Sequence, residues 1–493
     1  MDILRIKKIN DVYVRITSEP HVEQELSDFF KFEVATAKFM PKGPGGRRWN
    51  GNIFLYSMNT KLLYAGLLNY VKLFCKERDI KIEYLSDFSS IEFSVVDAEK
   101  FINYIKPNKI PRDYQIEAFV NCVRNHRALT LMPTGSGKSF TIYLLSRLYT
   151  INSQSNRKFL VIVPTVSLVH QMAKDFIDYG ADPDTIHRIT AGETKVTDKQ
   201  IVITTWQSIV NLERPWFKQF KAVVVDEAHQ AKANSFKKIM TKLVDCKYRF
   251  GFTGTLDNIE CHKLIIEGLT GPTKKIISTA ELINRKQLAD LNIKILVLKH
   301  DDDSRQKMFN QSYHDEMDFL VRNENRNKFI KNLILSLKGN TLVLYQYVDK
   351  HGKELYDSIK NAGIPCFFVH GGVDGEERDE IRKIVEQNEN SIIIASYGTM
   401  STGTNIVKLN NVICASPTKS KIRILQTIGR GLRRSEEKTS VTVFDIADDL
   451  TFKKKKNHTL NHLFERVKNY NDEKFVYKIY DIQLSREAIA DKN

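Results

Sequence analysis

Residues 132–139 read MPTGSGKS, residues 226–229 read DEAH and residues 426–434 read QTIGRGLRR. In the first segment Gly135 and Gly137 let the backbone turn tightly and aim N–H groups at phosphate oxygens, with Thr134 and Ser136 in the same loop. Lys138 is placed to reach the β- and γ-phosphates of a nucleotide, and Ser139 to offer its hydroxyl to Mg²⁺. An apolar run precedes this loop and FTIYLLSRLYT, a plausible helix, follows it. Strand, glycine loop and helix in that order are what a phosphate-binding loop requires, and the helix N-terminus adds partial positive charge. The GxxxxGK[ST] pattern starts here on Met132 instead of glycine. A plain Gly-rich turn with a solvated lysine is the bland alternative.

The DEAH segment follows AVVV, so Asp226 falls at the carboxyl end of a buried strand, the edge of an α/β sheet where ligands gather. Two adjacent carboxylates are poor core residues, because burying unpaired charge is expensive. Their chemistry suits Asp226 to holding Mg²⁺ through water and Glu227 to polarising an attacking water as general base. Arg430 and Arg433 lie three apart, on one face if helical. Guanidinium groups so placed stabilise charge developing on a transferring phosphate; a basic surface patch is the plain alternative.

These residues need a scaffold. A chain of 493 residues exceeds one ordinary core and implies several domains. Hydrophobic residues make up 42% and charged residues 27%, as in soluble globular proteins. No apolar run is long enough for a bilayer, and the start MDILRIKKIN lacks the apolar stretch of a signal peptide, so a cytoplasmic location is expected. A net charge of +16 favours a polyanionic partner, although basic proteins are common enough that motifs must decide. None of the six cysteines forms a CxxC pair, which argues against a zinc site or a disulfide framework and for buried free thiols.

From residue 126 short apolar runs alternate with helical stretches: ALTLM (128–132), FLVIV (159–163), IVITT (201–205), AVVVD (222–226) and YRFGF (248–252). Near-continuous runs of this length suit strands of a parallel sheet covered on both faces. A polar stretch spans 299–328, and the rhythm restarts with TLVLY (341–345), CFFVH (366–370), SIIIA (391–395), NVICA (411–415) and VTVFD (441–445). Residues 1–105 do not share it. DVYVRI, KIEYL and IEFSVV alternate, and a helix is expected at 60–76. The tail opens on KKKK (453–456) and reads as helical over 458–470.

The combination resembles the superfamily-two helicases and translocases over roughly residues 110–450. In that family the first glycine before PTGSGK is often missing, so Met132 is no obstacle. The resemblance implies an α/β fold with two RecA-like parallel-sheet domains in tandem, binding ATP and Mg²⁺ in the cleft between them. It further implies that PRDYQ (111–115) reads adenine through Gln115, and that PTVSLVHQ (164–171), with Pro164 and Thr165, grips a nucleic-acid backbone. TTWQS (204–208), with Thr205, would do the same. TGT (253–255) stands where a coupling motif is expected, with Thr253 and Thr255 as its hydroxyls. SYGTMSTGTNI (396–406) supplies Gly403, and more weakly Asn405, while Arg430 and Arg433 become arginine fingers.

The expected division is a small α+β branch-recognition domain at 1–105, motor domains at 106–298 and 299–452, and a basic helical tail at 453–493. Between Val34 and Lys76 there is no acidic residue, and PKGPGGRRWNG (41–51) concentrates Arg47, Arg48 and Trp49. Arginines pair with phosphates and an indole stacks on an exposed base; a hairpin whose tryptophan packs on its own domain is an equal alternative. For a core with such an N-terminal domain the resemblance implies a motor for branched DNA, in fork regression, junction migration and removal of RNA from RNA–DNA hybrids. No membrane partner is expected, and the oligomeric state stays open, a monomer being the simpler expectation. A duplex translocase, an RNA helicase and a binding protein with a vestigial loop are the alternatives, the last opposed by intact Lys138, Asp226, Glu227 and Arg433.

Overall fold

Alternation in ILRIKK and YVRIT makes two half-buried strands, β1 (Ile3–Lys8) and β2 (Tyr13–Thr17). Leu4, Ile6, Val14 and Ile16 are buried while Arg5, Lys7 and Arg15 face water, as a period of two dictates. The computed structural model describes residues 2–34, 49–151, 157–230, 233–256, 260–401, 408–418, 420, 429, 432 and 440–484. Helix α1 (Pro20–Phe29), strands β3 (Lys31–Glu33), β4 (Asn52–Phe54) and β5 (Leu62–Tyr64), helix α2 (Leu68–Glu77) and strand β6 (Lys81–Tyr84) complete the N-terminal part. Its main sheet runs β5-β2-β1-β6, with β6 parallel to β1 and the other pairs antiparallel; β3 and β4 pair separately. The helix expected over 60–76 therefore begins as a strand. IEFSVV is no strand either: Ser94 and Asp97 form a capping box that starts α3 (Val95–Ile105). Cap chemistry outweighs the alternation there.

After α4 (Asp113–Asn125) come β7 (Arg127–Leu131), α5 (Lys138–Thr150), β8 (Lys158–Val163), α6 (Val166–Asp178), β9 (Ile186–Ile189), β10 (Ile201–Thr205), β11 (Phe220–Val225), β12 (Tyr248–Thr253) and β13 (Thr273–Lys275). The seven strands form one parallel sheet, ordered β13-β7-β12-β11-β8-β10-β9. Residues 222–225 of β11 are all fully buried. Each such aliphatic side chain contributes about 1.5–3 kcal/mol relative to exposure. The N-terminal part shares this core, Leu4 and Val14 of its sheet and Phe74 of α2 belonging to one apolar cluster with Leu129, Val223 and Leu269. The Asp11 N–H donates to the Val244 carbonyl at 2.9 Å and the Tyr70 hydroxyl to Glu267 at 2.6 Å. Gly66 packs so closely that a Cβ there would lie 2.0 Å from the Glu267 carbonyl oxygen.

A second parallel sheet is built from β14 (Asp290–Lys299), β15 (Thr341–Tyr345), β16 (Cys366–Val369), β17 (Ile392–Ser396), β18 (Asn411–Cys414), β19 (Ser440–Asp449) and β20 (Tyr477–Gln483), ordered β16-β17-β15-β18-β19-β14-β20. Two compact units result: Met1–Met132 with Gly137–Ile276, and the chain from Ile277 on with the short Pro133–Ser136. Strand β14 thus belongs to the second sheet, although it precedes the polar stretch that suggested a boundary at 298/299. That stretch is helical, capped by Asp301 and Ser312, and its charges lie along helices instead of a linker.

Buried charge ties the second unit together. Arg326, fully buried, donates from Nε to both Asp448 oxygens at 2.9 and 3.0 Å and from Nη2 to the Ala415 carbonyl at 2.7 Å. His300 Nε2 lies 3.0 Å from the same carboxylate. Burial opposes the Asp448 charge, but Arg326 and then His300 outweigh it and hold the carboxyl at about 2. Glu316, also buried, accepts the N–H groups of His458 and Thr459 and so caps the helix His458–Asp472. KKKK is a solvated turn with Lys453 and Lys454 at positive φ. All six cysteines are free thiols, four of them buried. Among the described residues no helix is long and apolar enough to cross a membrane.

Candidate nucleotide and nucleic-acid site

Strand β7 ends at Leu131, and the Met132 N–H then donates to the Thr253 carbonyl at 3.0 Å, which fixes where the glycine loop departs. Gly135 and Gly137 have φ of 84° and 78°, left-handed values that L side chains avoid. Gly137 is the N-cap of α5, and a Cβ there would lie 2.4 Å from Gln115 Nε2. Ser136 folds onto its own loop, its N–H and hydroxyl both donating to the Pro133 carbonyl at 3.2 and 2.7 Å. Thr134 lies half-buried between them. Gln115 accepts the Arg112 N–H at 2.9 Å and donates to the Gly137 carbonyl at 3.2 Å, so it braces the loop from α4.

Lys138 and Glu227 meet. The ammonium lies 3.0 Å from Glu227 Oε1 and 3.4 Å from the Met132 carbonyl. Glu227 follows β11 at φ 48°, a left-handed conformation costing a non-glycine residue on the order of 1–3 kcal/mol. Asp226 is anchored by its N–H on the Ile162 carbonyl at 2.9 Å, and its Oδ1 accepts the Glu227 N–H at 2.9 Å. Burial first, then the Glu227 carboxylate, push the Asp226 carboxyl well above the ordinary range, against the pull of Lys138. A buried carboxylate in that condition is one a cation stabilises. With the Ser139 hydroxyl it makes a hard oxygen donor set of the kind Mg²⁺ prefers. The Ser139 hydroxyl shares a 2.9 Å hydrogen bond with that of Tyr179.

His229 is the residue sequence reasoning passed over, though it is the last letter of DEAH. It is buried, its Nδ1 pairs with the Thr253 hydroxyl, and the same nitrogen is 3.4 Å from Glu227 Oε2. The Thr253 hydroxyl donates to the Thr255 carbonyl at 2.7 Å, so it accepts from His229, which therefore carries its proton on Nδ1. A continuous polar path runs from Glu227 through His229 to Thr253 and Thr255. Thr255 Oγ1 is buried without a hydrogen-bond partner among the described residues. Replacing His229 by Ala is expected to leave most ATP turnover in place and cut strand separation per ATP by about 5–150-fold. Equal loss of both activities, measured side by side, would refute a coupling role.

The strand-gripping candidates share one sheet edge. Pro164 and Thr165 follow β8, and Thr205 ends its neighbour β10. Thr165 caps α6, its hydroxyl accepting from the Leu168 N–H at 3.4 Å. Thr205 is buried with its hydroxyl on Ser208 at 3.0 Å, and Pro164 is buried too, so the accessible polar groups at this edge include Thr165, Ser167, Gln207 and Ser208. Trp49 is 43% exposed, with its indole N–H on the Asn52 carbonyl at 3.2 Å. Arg47, Arg48, Gly403, Asn405, Arg430 and Arg433 lie outside the described residues.

Two seven-stranded parallel sheets in tandem, the first with a glycine loop at β7 and paired carboxylates after β11, define the core of a superfamily-two helicase, an ATP-hydrolysing enzyme. Residues 108–258 match the family described as type III restriction enzyme, res subunit, residues 325–435 the helicase conserved C-terminal domain, and residues 4–85 the N-terminal domain of DNA helicase UvsW. The chain is 34% identical to the ATP-dependent DNA helicase UvsW of Enterobacteria phage T4 over 96% of its own length and 98% of the relative's. It belongs to the UvsW helicase family. The crystal structure of T4 UvsW, 32% identical, aligns over 98% of this chain and 100% of that one with a TM-score of 0.51. An ATP-dependent type ISP restriction-modification enzyme bound to DNA, 16% identical, covers 77% of this chain and 32% of its own at a TM-score of 0.58, a likeness of fold alone.

Proposed function

We propose that the chain is an ATP-dependent DNA helicase that remodels branched DNA, by fork regression, junction branch migration and displacement of RNA from RNA–DNA hybrids. The observation that carries this reading is the path from the Lys138–Glu227 pair through His229 to Thr253, which joins nucleotide chemistry to the carboxyl edge where Thr165 sits. Likeness to a DNA helicase along nearly the whole chain supports DNA as the substrate. Lys138 and the loop amides bind phosphates, Glu227 orients and deprotonates the attacking water, and Gln115 reads the base. Ser139 and Asp226 hold Mg²⁺, which supplies charge neutralisation on the phosphates. Arg430 and Arg433 supply further positive charge in the transition state, and Gly403 allows close backbone approach.

A branch-recognition role for the N-terminal part and motor roles for the two parallel-sheet units belong to the same proposal, as does action in the cytoplasm as a monomer. Arg47, Arg48 and Trp49 are the proposed branch contacts. The partly exposed indole supports stacking, and its N–H bond to Asn52 leaves the ring face available.

The test is steady-state ATP hydrolysis with no nucleic acid, linear single strand, linear duplex, and forked or four-way DNA. Selective stimulation by branched substrates is expected. Equal stimulation by linear duplex would favour a translocase that does not part strands, and none by any DNA would sink the DNA reading. Trp49→Ala is expected to weaken fork binding by about 1–3 kcal/mol, the worth of one stacked base; unchanged fork affinity in a titration would remove Trp49 from the interface.

A further inference from the structure

A cavity of about 470 Å³ lies between the N-terminal sheet and the amino ends of three strands of the first parallel sheet. His126 and Arg127 open β7, Lys247 precedes β12 and Pro272 precedes β13, and these three strands are neighbours in the order β13-β7-β12. The N-terminal side contributes Lys8, Asp11, Lys72, Tyr84 and Phe88. The glycine loop leaves the opposite end of β7. Its five residues, at about 3.3 Å each, separate cavity and loop by about 15 Å. The site described above uses the carboxyl edge of the sheet; this cavity is on the other edge.

Its charges do not cancel. Asp11 is paired with Lys8 at 2.6 Å, and its backbone carbonyl accepts from Arg127 Nη2 at 2.8 Å. The Asp87 carboxylate accepts the Ser89 N–H at 2.8 Å. Lys72 is exposed with no carboxylate partner among the described residues, and Lys247, also exposed, acts on the Asp87 carboxylate. Arg127 Nη1 is buried and lacks a hydrogen-bond partner among the described residues. Leaving a buried charged donor unsatisfied is costly, and native structures rarely do so without a ligand or water. The exposed ammonium groups of Lys72 and Lys247 offer an anionic oxygen direct contact, and the Arg127 guanidinium adds positive potential behind them. Beside these cations, the rings of Tyr84 and Phe88 lie 5.6 Å apart and Tyr84 is 45% exposed, a surface on which a base can stack. The volume falls within the range of pockets that hold small ligands.

We propose that this cavity binds one nucleotide unit, its phosphate on Lys72 and Lys247 in the positive potential of Arg127 and its base on Tyr84 and Phe88. A free mononucleotide and a nucleotide within a DNA strand present the same groups, so the experiment separates them. It does not depend on the branched-DNA reading.

The full-length Lys138→Ala chain, whose phosphate loop is disabled, is titrated with thymidine 5′-monophosphate, thymidine and a short oligothymidylate. Thymidine avoids the base preference of the ATP site. The same titrations follow with Lys72→Ala and Lys247→Ala added, and separately with Tyr84→Ala. Monophosphate binding that weakens about tenfold or more without the two lysines, and weakens again without Tyr84, with thymidine much poorer throughout, assigns the cavity to free nucleotides. A loss confined to the oligonucleotide assigns it to a strand. Binding of neither probe, or equal binding with and without the lysines, overturns the proposal. An unfolding midpoint matching the parent's shows that each variant is folded, and protection of residues 84–91 and 125–127 from hydrogen exchange on ligand addition places the site independently of any substitution.

Discussion

Glu227→Gln is expected to slow ATP hydrolysis by about 10²–10⁴-fold, the usual worth of a general base, while nucleotide and DNA binding persist. The amide keeps the size of the carboxylate and can still face Lys138, so the change removes basicity with little disturbance of the 3.0 Å contact. Lys138→Ala should stop turnover by a different route. It removes the charge placed for the phosphates and leaves Glu227 without that partner, so nucleotide affinity falls as well. The two variants therefore separate when nucleotide binding is measured beside turnover: Glu227→Gln binds and does not hydrolyse, Lys138→Ala binds poorly. Normal turnover in either would sink the role assigned to that residue. Glu227→Gly is a useful third variant, because it removes the base and also relieves the left-handed strain, giving a chain that is inactive and no less stable.

Asp448→Ala is expected to destabilise the second unit by about 3–5 kcal/mol, because it leaves Arg326 buried with no counter-charge. The three tryptophans, Trp49, Trp206 and Trp216, all lie in the first unit. Tryptophan fluorescence during urea unfolding thus follows the first unit, while far-ultraviolet circular dichroism follows both. The variant should shift part of the dichroism transition to lower urea and leave the fluorescence transition in place; a shared shift would mean that the units unfold together. The parent protein carries an acid signature of the same contact. The Asp448 carboxyl is held at about 2, below its unfolded value of about 4. Its stabilisation is complete above the unfolded value and is lost as pH falls toward the folded one.

Ten apolar runs in the motor segments were legible because strands buried on both faces need nearly continuous aliphatic sequence, and every one of them contains an observed strand. The strands that escaped are of another kind. Residues 186–189, 273–275 and 477–483, IHRI, TKK and YKIYDIQ, sit at sheet edges, where one side is solvated and the apolar signal fades. Strand β14 was not singled out either, since its alternation begins on the polar DLN, and its place in the second sheet is a matter of register and sheet order, which are long-range facts. The same holds for the site. Lys138, Asp226 and Glu227 could be named from spacing, since the chemistry of phosphate binding fixes neighbours along the chain. The link from His229 to Thr253 spans 24 positions and needed the parallel β11–β12 pairing to exist. The Arg127 donor behind β7, unpaired among the described residues, carries no motif at all; only burial reveals it.

Gly66 rests against the carbonyls of Glu267 and Gly268, and the apolar cluster runs unbroken from β1 into β11. A joint of this kind has no slack. Each displacement of the first motor sheet therefore carries the N-terminal sheet through the same arc, a stiff arm whose swing reports whatever stroke the nucleotide site generates.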